Sequence, residues 1–80
     1  MLTPVEAHCL LEALCTELGF CLDAGARERL ERNPPSGVRS FRDAVCAAEG
    51  VRASDLDAAV LGELDALVSS AFARAAERHG

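Results

Sequence analysis

Eighty residues are enough for one domain, and because half of them are apolar the chain can bury a modest core, which excludes an intrinsically disordered protein. The formal net charge is −5, and all eight basic residues are arginine. Binding to nucleic acid or to an anionic membrane depends on clustered cations, so this charge argues against both kinds of partner.

Helix is the secondary structure that this composition favours. Isoleucine, tryptophan and tyrosine are absent, whereas β-strands are typically rich in β-branched and aromatic residues. No internal repeat or change of composition marks a second domain. We therefore predict an all-α fold in which residues 1–80 form a single helical domain, a small four-helix domain with a long C-terminal helix.

The first helix has the clearest local signals. Thr3 is suited to the N-cap, Pro4 to the first helical position and Glu6 to the closing position of a capping box. An apolar stripe follows, and Gly19 predicts the C-terminal end of the helix. Cys9 is expected on the side opposite the stripe, exposed to solvent.

Two shorter helices are predicted next. Asp23 can cap a helix that runs to Arg32 and is ended by the Asn-Pro-Pro sequence of residues 33–35. A third helix is expected to begin at Ser36 or Ser40 and to end at Gly50. The residues of this helix predicted to face the core are Val38, Phe41, Val45 and Ala48, whereas Arg39, Arg42 and Cys46 are predicted on the opposite side.

The fourth helix is predicted to start at Ser54, with Asp57 three residues later completing the capping pattern, and to run to His79. At a rise of about 1.5 Å per residue it would be roughly 36 Å long. Apolar residues recur along it at helical spacing. The predicted core of the domain comprises Leu11, Leu14, Leu18, Phe41, Val45, Leu56, Val60, Leu64, Leu67, Val68 and Phe72.

The side of the fourth helix that faces away from this core is unusual, because small residues replace the charged residues of an ordinary surface helix. A glycine inside an exposed helix costs about 1 kcal/mol relative to alanine, so Gly62 favours an interface at which another helix approaches closely. The alternative is a solvated face on which alanines serve only as good helix formers. The predicted protein-binding residues are Ala58, Ala59, Gly62, Ala66, Ser69, Ser70 and Ala73.

Two polar sets are weaker candidates for sites. Five arginines within residues 24–42 form a basic stretch that is either a patch for an acidic partner or, as we favour, is paired with acids of the same domain. The five arginines are Arg27, Arg29, Arg32, Arg39 and Arg42.

His8, Glu12 and Cys15 share one stripe of the first helix, but two helical turns make a wide span for one metal ion. We predict no metal site.

The cysteines are expected to be reduced. No basic segment followed by an apolar one opens the chain, and no apolar run is long enough to span a membrane, so a cytoplasmic location is expected. Free thiols are the usual state in that compartment. The spacing of the cysteines contains no CxxC pair typical of structural zinc. The four residues are Cys9, Cys15, Cys21 and Cys46.

These features predict a non-enzymatic module that binds another protein through helix–helix packing, as a homodimer or an adaptor, with no cofactor and no small-molecule substrate. One alternative is an acidic immunity or antitoxin protein that neutralises a basic toxin through its carboxylates. The other is a thiol-based redox or metal sensor that uses the cysteines. The carboxylates of the first alternative are Glu6, Glu12, Glu17, Asp55, Asp57, Glu63 and Asp65.

Overall fold

The computed structural model describes residues 2–79, and within them the chain forms four α-helices and no strand. These are α1 (Pro4–Leu18), α2 (Ala24–Arg32), α3 (Val38–Ala48) and α4 (Ala58–His79), with a short 3₁₀ turn at Ala53–Asp55 between α3 and α4. The predicted all-α fold with a long C-terminal helix is confirmed. None of the described helices is long and apolar enough to cross a lipid bilayer.

Both ends of α1 are formed by the residues predicted to form them. The backbone N–H of Glu6 donates to Thr3 Oγ1 at 3.2 Å, and the backbone N–H of Thr3 donates to Glu6 Oε1 at 2.8 Å. Gly19 has φ 78°, and the N–H groups of Gly19 and Phe20 donate to the carbonyls of Cys15 and Leu14 at 3.1 Å. These hydrogen bonds satisfy backbone groups that have no partner inside the helix, and therefore fix its length.

Replacing Thr3 by alanine is expected to lower the free energy of unfolding by about 1 kcal/mol, because the N–H of Glu6 loses its acceptor and the capping box is broken. Chemical denaturation followed by circular dichroism measures the change. Thr3→Ser, which retains the hydroxyl, is the matched control and should stay within a few tenths of a kcal/mol of the original protein. An equal loss in both variants would show that the hydroxyl does not stabilise α1.

The predicted bounds of α2 are confirmed, but the predicted start of α3 is wrong. Asp23 Oδ1 accepts from the backbone N–H of Ala26 at 2.8 Å and caps α2 as expected. The α3 helix begins at Val38 after Gly37, which makes no side-chain capping hydrogen bond, so neither Ser36 nor Ser40 is its cap. Pro34, just before this helix, is buried. Packing of the connector therefore sets where α3 begins.

The fourth helix begins later than predicted. Ser54 lies in the 3₁₀ turn, Leu56 is extended (φ −80°, ψ 147°), and α4 starts at Ala58, with the Asp57 carbonyl accepting from the N–H of Leu61 at 2.9 Å. Leu56 is half-buried against the core. An extended backbone at this position lets its side chain reach the core before the helix begins.

The core lies between α1, α3 and α4 and is centred on Phe41. Its ring meets that of Phe72 edge to face, with centroids 6.1 Å apart. Cys46, predicted on the outer side of α3, is only 1% exposed, because the chain after α3 folds back and the 3₁₀ turn packs on α3, placing Ala53 near the thiol. The largest fully buried side chains are Phe41, Leu14, Leu64, Val45, Val68 and Cys46.

The edge of the predicted core is less buried than expected. Five of its residues are half-buried, while Leu2 and Leu10, which were not included in the prediction, are buried. Leu2 packs with the core before α1 begins. The five half-buried residues are Leu18, Leu56, Val60, Leu67 and Phe72.

Candidate interaction surfaces

The first candidate surface is the small-residue face of α4, which we define as Ala58, Ala59, Gly62, Ala66, Ser69, Ser70 and Ala73. All seven residues are exposed, on the side of the helix opposite the buried Leu64, Val68, Ala71 and Ala75. Ala76 is also exposed and, at about 100° per residue, falls on the same side as Ala58 and Ser69. The sequence prediction omitted Ala76, although the same periodicity identifies it.

Gly62 has no role in the packing of its own domain. A Cβ atom added there would meet no heavy atom of a neighbouring element within 4 Å, and the backbone φ is not in the left-handed region that favours glycine. The fold would therefore accept alanine at this position. The absence of a side chain leaves the α4 backbone accessible within the small-residue face, one helical turn from Ala58.

The basic stretch is largely paired within the domain, as favoured from the sequence. Arg27 makes ion pairs with Glu12 of α1 and, at 2.8 Å, with Glu31. Arg32 pairs with Glu28. Among the described residues, Arg29 and Arg39 are exposed and form no ion pair.

Arg42 is the most buried member of the basic stretch. It joins α3 to α4 by hydrogen bonds to Asp65 at 3.2 and 3.3 Å, and it also pairs with Asp43. The hydrogen bond to Asp43 is the main reason why the pKa of Arg42 is raised. The guanidinium of Arg42 is therefore hydrogen-bonded within the chain and is not free to bind a partner.

The stripe residues His8, Glu12 and Cys15 each have a partner within the chain. His8 Nδ1 lies 3.0 Å from Glu31 Oε2, Glu12 pairs with Arg27, and Cys15 is in a disulfide. Hydrogen bonds from Arg27 and then from His8 lower the pKa of Glu31. In the described part of the chain no three potential metal ligands come together. The stripe instead contributes polar contacts between α1 and α2.

The expectation of four free thiols is wrong for two of the cysteines. Cys15 and Cys21 form a disulfide, with their Cα atoms 4.3 Å apart, because the turn at Gly19 brings the chain back beside the last turn of α1. Cys9 is an exposed free thiol, as predicted. Cys46 is a free thiol in the core, where burial raises its pKa.

The acidic residues that would serve a toxin-neutralising protein fall into two groups. Four of them pair with arginines of this chain: Glu6 with Arg78, Glu12 with Arg27, Asp55 with Arg52 and Asp65 with Arg42. The other three are exposed and form no ion pair within residues 2–79. They are Glu17 on α1, Asp57 just before α4 and Glu63 on α4.

The second candidate surface, which the sequence did not predict, is a groove of about 540 Å³ between α1 and α4, called here the α1–α4 groove. Val5, which is exposed over 72% of its surface, lies at the edge of the groove, and the exposed thiol of Cys9 also lines the groove. The apolar residues along the groove are Val5, Leu10, Ala13, Leu67 and Ala71, and the charged residues are Glu6, Glu17, Arg74 and Arg78.

The chain matches no protein-family model, no curated protein and no solved structure in the comparisons made. Its function is therefore inferred from the two surfaces and from the state of the cysteines.

Proposed function

We propose that this chain is a non-enzymatic protein–protein interaction module that associates with a second copy of itself through the small-residue face of α4. The observation that carries the proposal is the exposure of all seven predicted residues along a single helix. Between Ala58 and Ala73 they span 15 residues of helix, about 22 Å at a rise of 1.5 Å per residue.

Close helix–helix packing gives this face its physical rationale. Helices pack at interaxial distances of about 8–10 Å depending on the side chains at the contact, and small side chains allow the shorter distances. Gly62 adds to the argument, because an exposed helical glycine costs about 1 kcal/mol unless something compensates for it. A twofold-symmetric dimer uses the same patch twice, so one continuous face on one helix is sufficient to form it.

The proposal predicts that the purified chain has twice its monomer mass of 8.4 kDa in solution and that Gly62→Glu reduces it to 8.4 kDa. A glutamate within the face would place a longer side chain and an unpaired charge at the interface and hold the helices apart. Light scattering coupled to size-exclusion chromatography, over a range of protein concentrations, measures the mass. Circular dichroism checks that the variant keeps its helical content.

A glutamate placed on another helix separates an effect on the interface from a general effect of added charge. Ala48 was predicted to face the core, but it is exposed at the end of α3, beside Ala26 and Leu30 of α2. Ala48→Glu adds the same charge on another helix, outside the small-residue face, and should leave the dimer intact. A monomer at every concentration of the original protein would refute self-association. A dimer in both variants would place its interface elsewhere.

The thiol-based alternative is also a proposal, and the disulfide is the observation that favours it. Cys21 is exposed, so a cellular dithiol can reach the bond and reduce it with two electrons and two protons, which yields two thiols. The same light-scattering experiment, repeated with a reductant, tests it. A redox sensor that acts through assembly changes its mass on reduction, and this response disappears in Cys15→Ser/Cys21→Ser.

A further inference from the structure

The α1–α4 groove runs along two antiparallel helices. Arg78 donates to Glu6 Oε2 at 2.7 and 2.9 Å and closes the end of the groove near the start of α1. Glu17 and Leu67 line the other end, eleven residues along each helix from this pair. At 1.5 Å per residue the groove is about 16 Å long, and the ridges of α1 and α4 form its two walls.

Small residues create the depression. Ala13 of α1 and Ala71 of α4 lie on either side of the groove, where longer side chains would fill the space, while the half-buried Leu67 supplies apolar surface. Val5 is the most exposed large apolar residue among those described, at 72%, and it projects beside this surface. Such a combination favours an apolar ligand that lies along both helices.

Two charged groups in the groove have no ion-pair partner within residues 2–79. Arg74 lies one helical turn before Arg78, and Glu17 lies at the far end of the groove. Since Glu6 is level with Arg78 and the helices are antiparallel, Arg74 and Glu17 are separated along the groove by seven residues, about 10.5 Å. This distance is close to two turns of an α-helix.

We propose that the α1–α4 groove binds an amphipathic α-helix of a partner protein. Its apolar side chains pack on Val5, Ala13 and Leu67, and an acidic and a basic residue two turns apart face Arg74 and Glu17. Helix-in-groove recognition places anchors at helical spacing in this way. The surface is distinct from the small-residue face, so this inference goes beyond the proposed self-association.

The cysteines provide a direct measure of occupancy. Cys9 lines the groove and is exposed, Cys46 is buried, and Cys15 and Cys21 are bonded to each other. Alkylation of the folded, non-reduced protein therefore reports on Cys9 alone. A helix in the groove covers this thiol and slows its reaction with iodoacetamide.

The experiment uses three capped helical peptides of about 18 residues, long enough for helix formation in an alanine-rich sequence. They share one leucine stripe and differ only at two positions two turns apart, which carry Glu and Lys, Glu and Glu, or Lys and Lys. The original protein should bind the Glu/Lys peptide about fivefold tighter than the other two, the range expected for exposed ion pairs. Arg74→Glu should prefer the Lys/Lys peptide, and Glu17→Lys the Glu/Glu peptide.

An apolar control and a control for self-association complete the test. Val5→Ser should weaken binding of every peptide, whereas Val51→Ser, at the other exposed large apolar residue, should not. Peptide binding should persist in Gly62→Glu, so failure of the groove and failure of the dimer are separate results. Equal affinity for the three peptides would overturn the proposal. Protection of Cys9 by the fatty acid laurate, with no protection by any of the peptides, would also overturn it.

Discussion

Phe41→Ala is expected to remove about 3–5 kcal/mol from the free energy of unfolding, the usual cost of deleting a buried phenylalanine ring. Phe41 is completely buried at the centre of the core, where it meets Phe72 edge to face. A domain of this length typically has about 4–12 kcal/mol of stability in total. The variant should therefore unfold at a much lower denaturant concentration or fail to fold, as measured by circular dichroism in urea.

A milder pair of variants keeps this prediction testable if the alanine variant does not fold. Phe41→Leu retains most of the apolar volume and should cost clearly less than Phe41→Ala, because the cavity is smaller. A double-mutant cycle of Phe41→Leu with Phe72→Leu isolates the ring–ring contact, expected at about 0.5–1.5 kcal/mol. If Phe41→Ala and Phe41→Leu cost the same small amount, the centre of the core lies elsewhere.

Local signals were sufficient to predict α1. Thr3, Pro4, Glu6 and Gly19 act through hydrogen bonds and backbone angles within a few residues, so sequence alone identifies both ends of the helix. The start of α4 was missed because Ser54 matches the capping pattern, while contact of Leu56 with the core favours an extended backbone instead. Tertiary packing decided between two starts that the local sequence allowed.

Three features that depend on how elements pack were treated differently by the sequence. The small-residue face lies on one helix and follows from its periodicity, and each of its predicted residues is exposed. The α1–α4 groove requires Ala13 to lie across from Ala71, which is known only once the two helices are paired. Likewise, Cys46 becomes buried because the 3₁₀ turn packs against α3.

The disulfide was also missed, and breaking it is expected to destabilise the domain by about 2 kcal/mol. Chain-entropy arguments give this value for a closed loop of about seven residues. The bond ties the connector after α1 to the last turn of that helix, and Phe20 and Leu22 in this connector pack against the core. Cys15→Ser/Cys21→Ser should accordingly unfold at a lower denaturant concentration than the original protein.

Reduction of the original protein should have the same effect as the double substitution, because both release the same loop. In Cys15→Ser/Cys21→Ser a reductant should then cause no further loss, and Cys9→Ser, which removes an exposed free thiol, should leave stability unchanged. Counting thiols in denaturant gives an independent check, with two expected before reduction, from Cys9 and Cys46, and four after it. Four thiols before reduction would show that Cys15 and Cys21 are not bonded to each other, and would contradict this prediction.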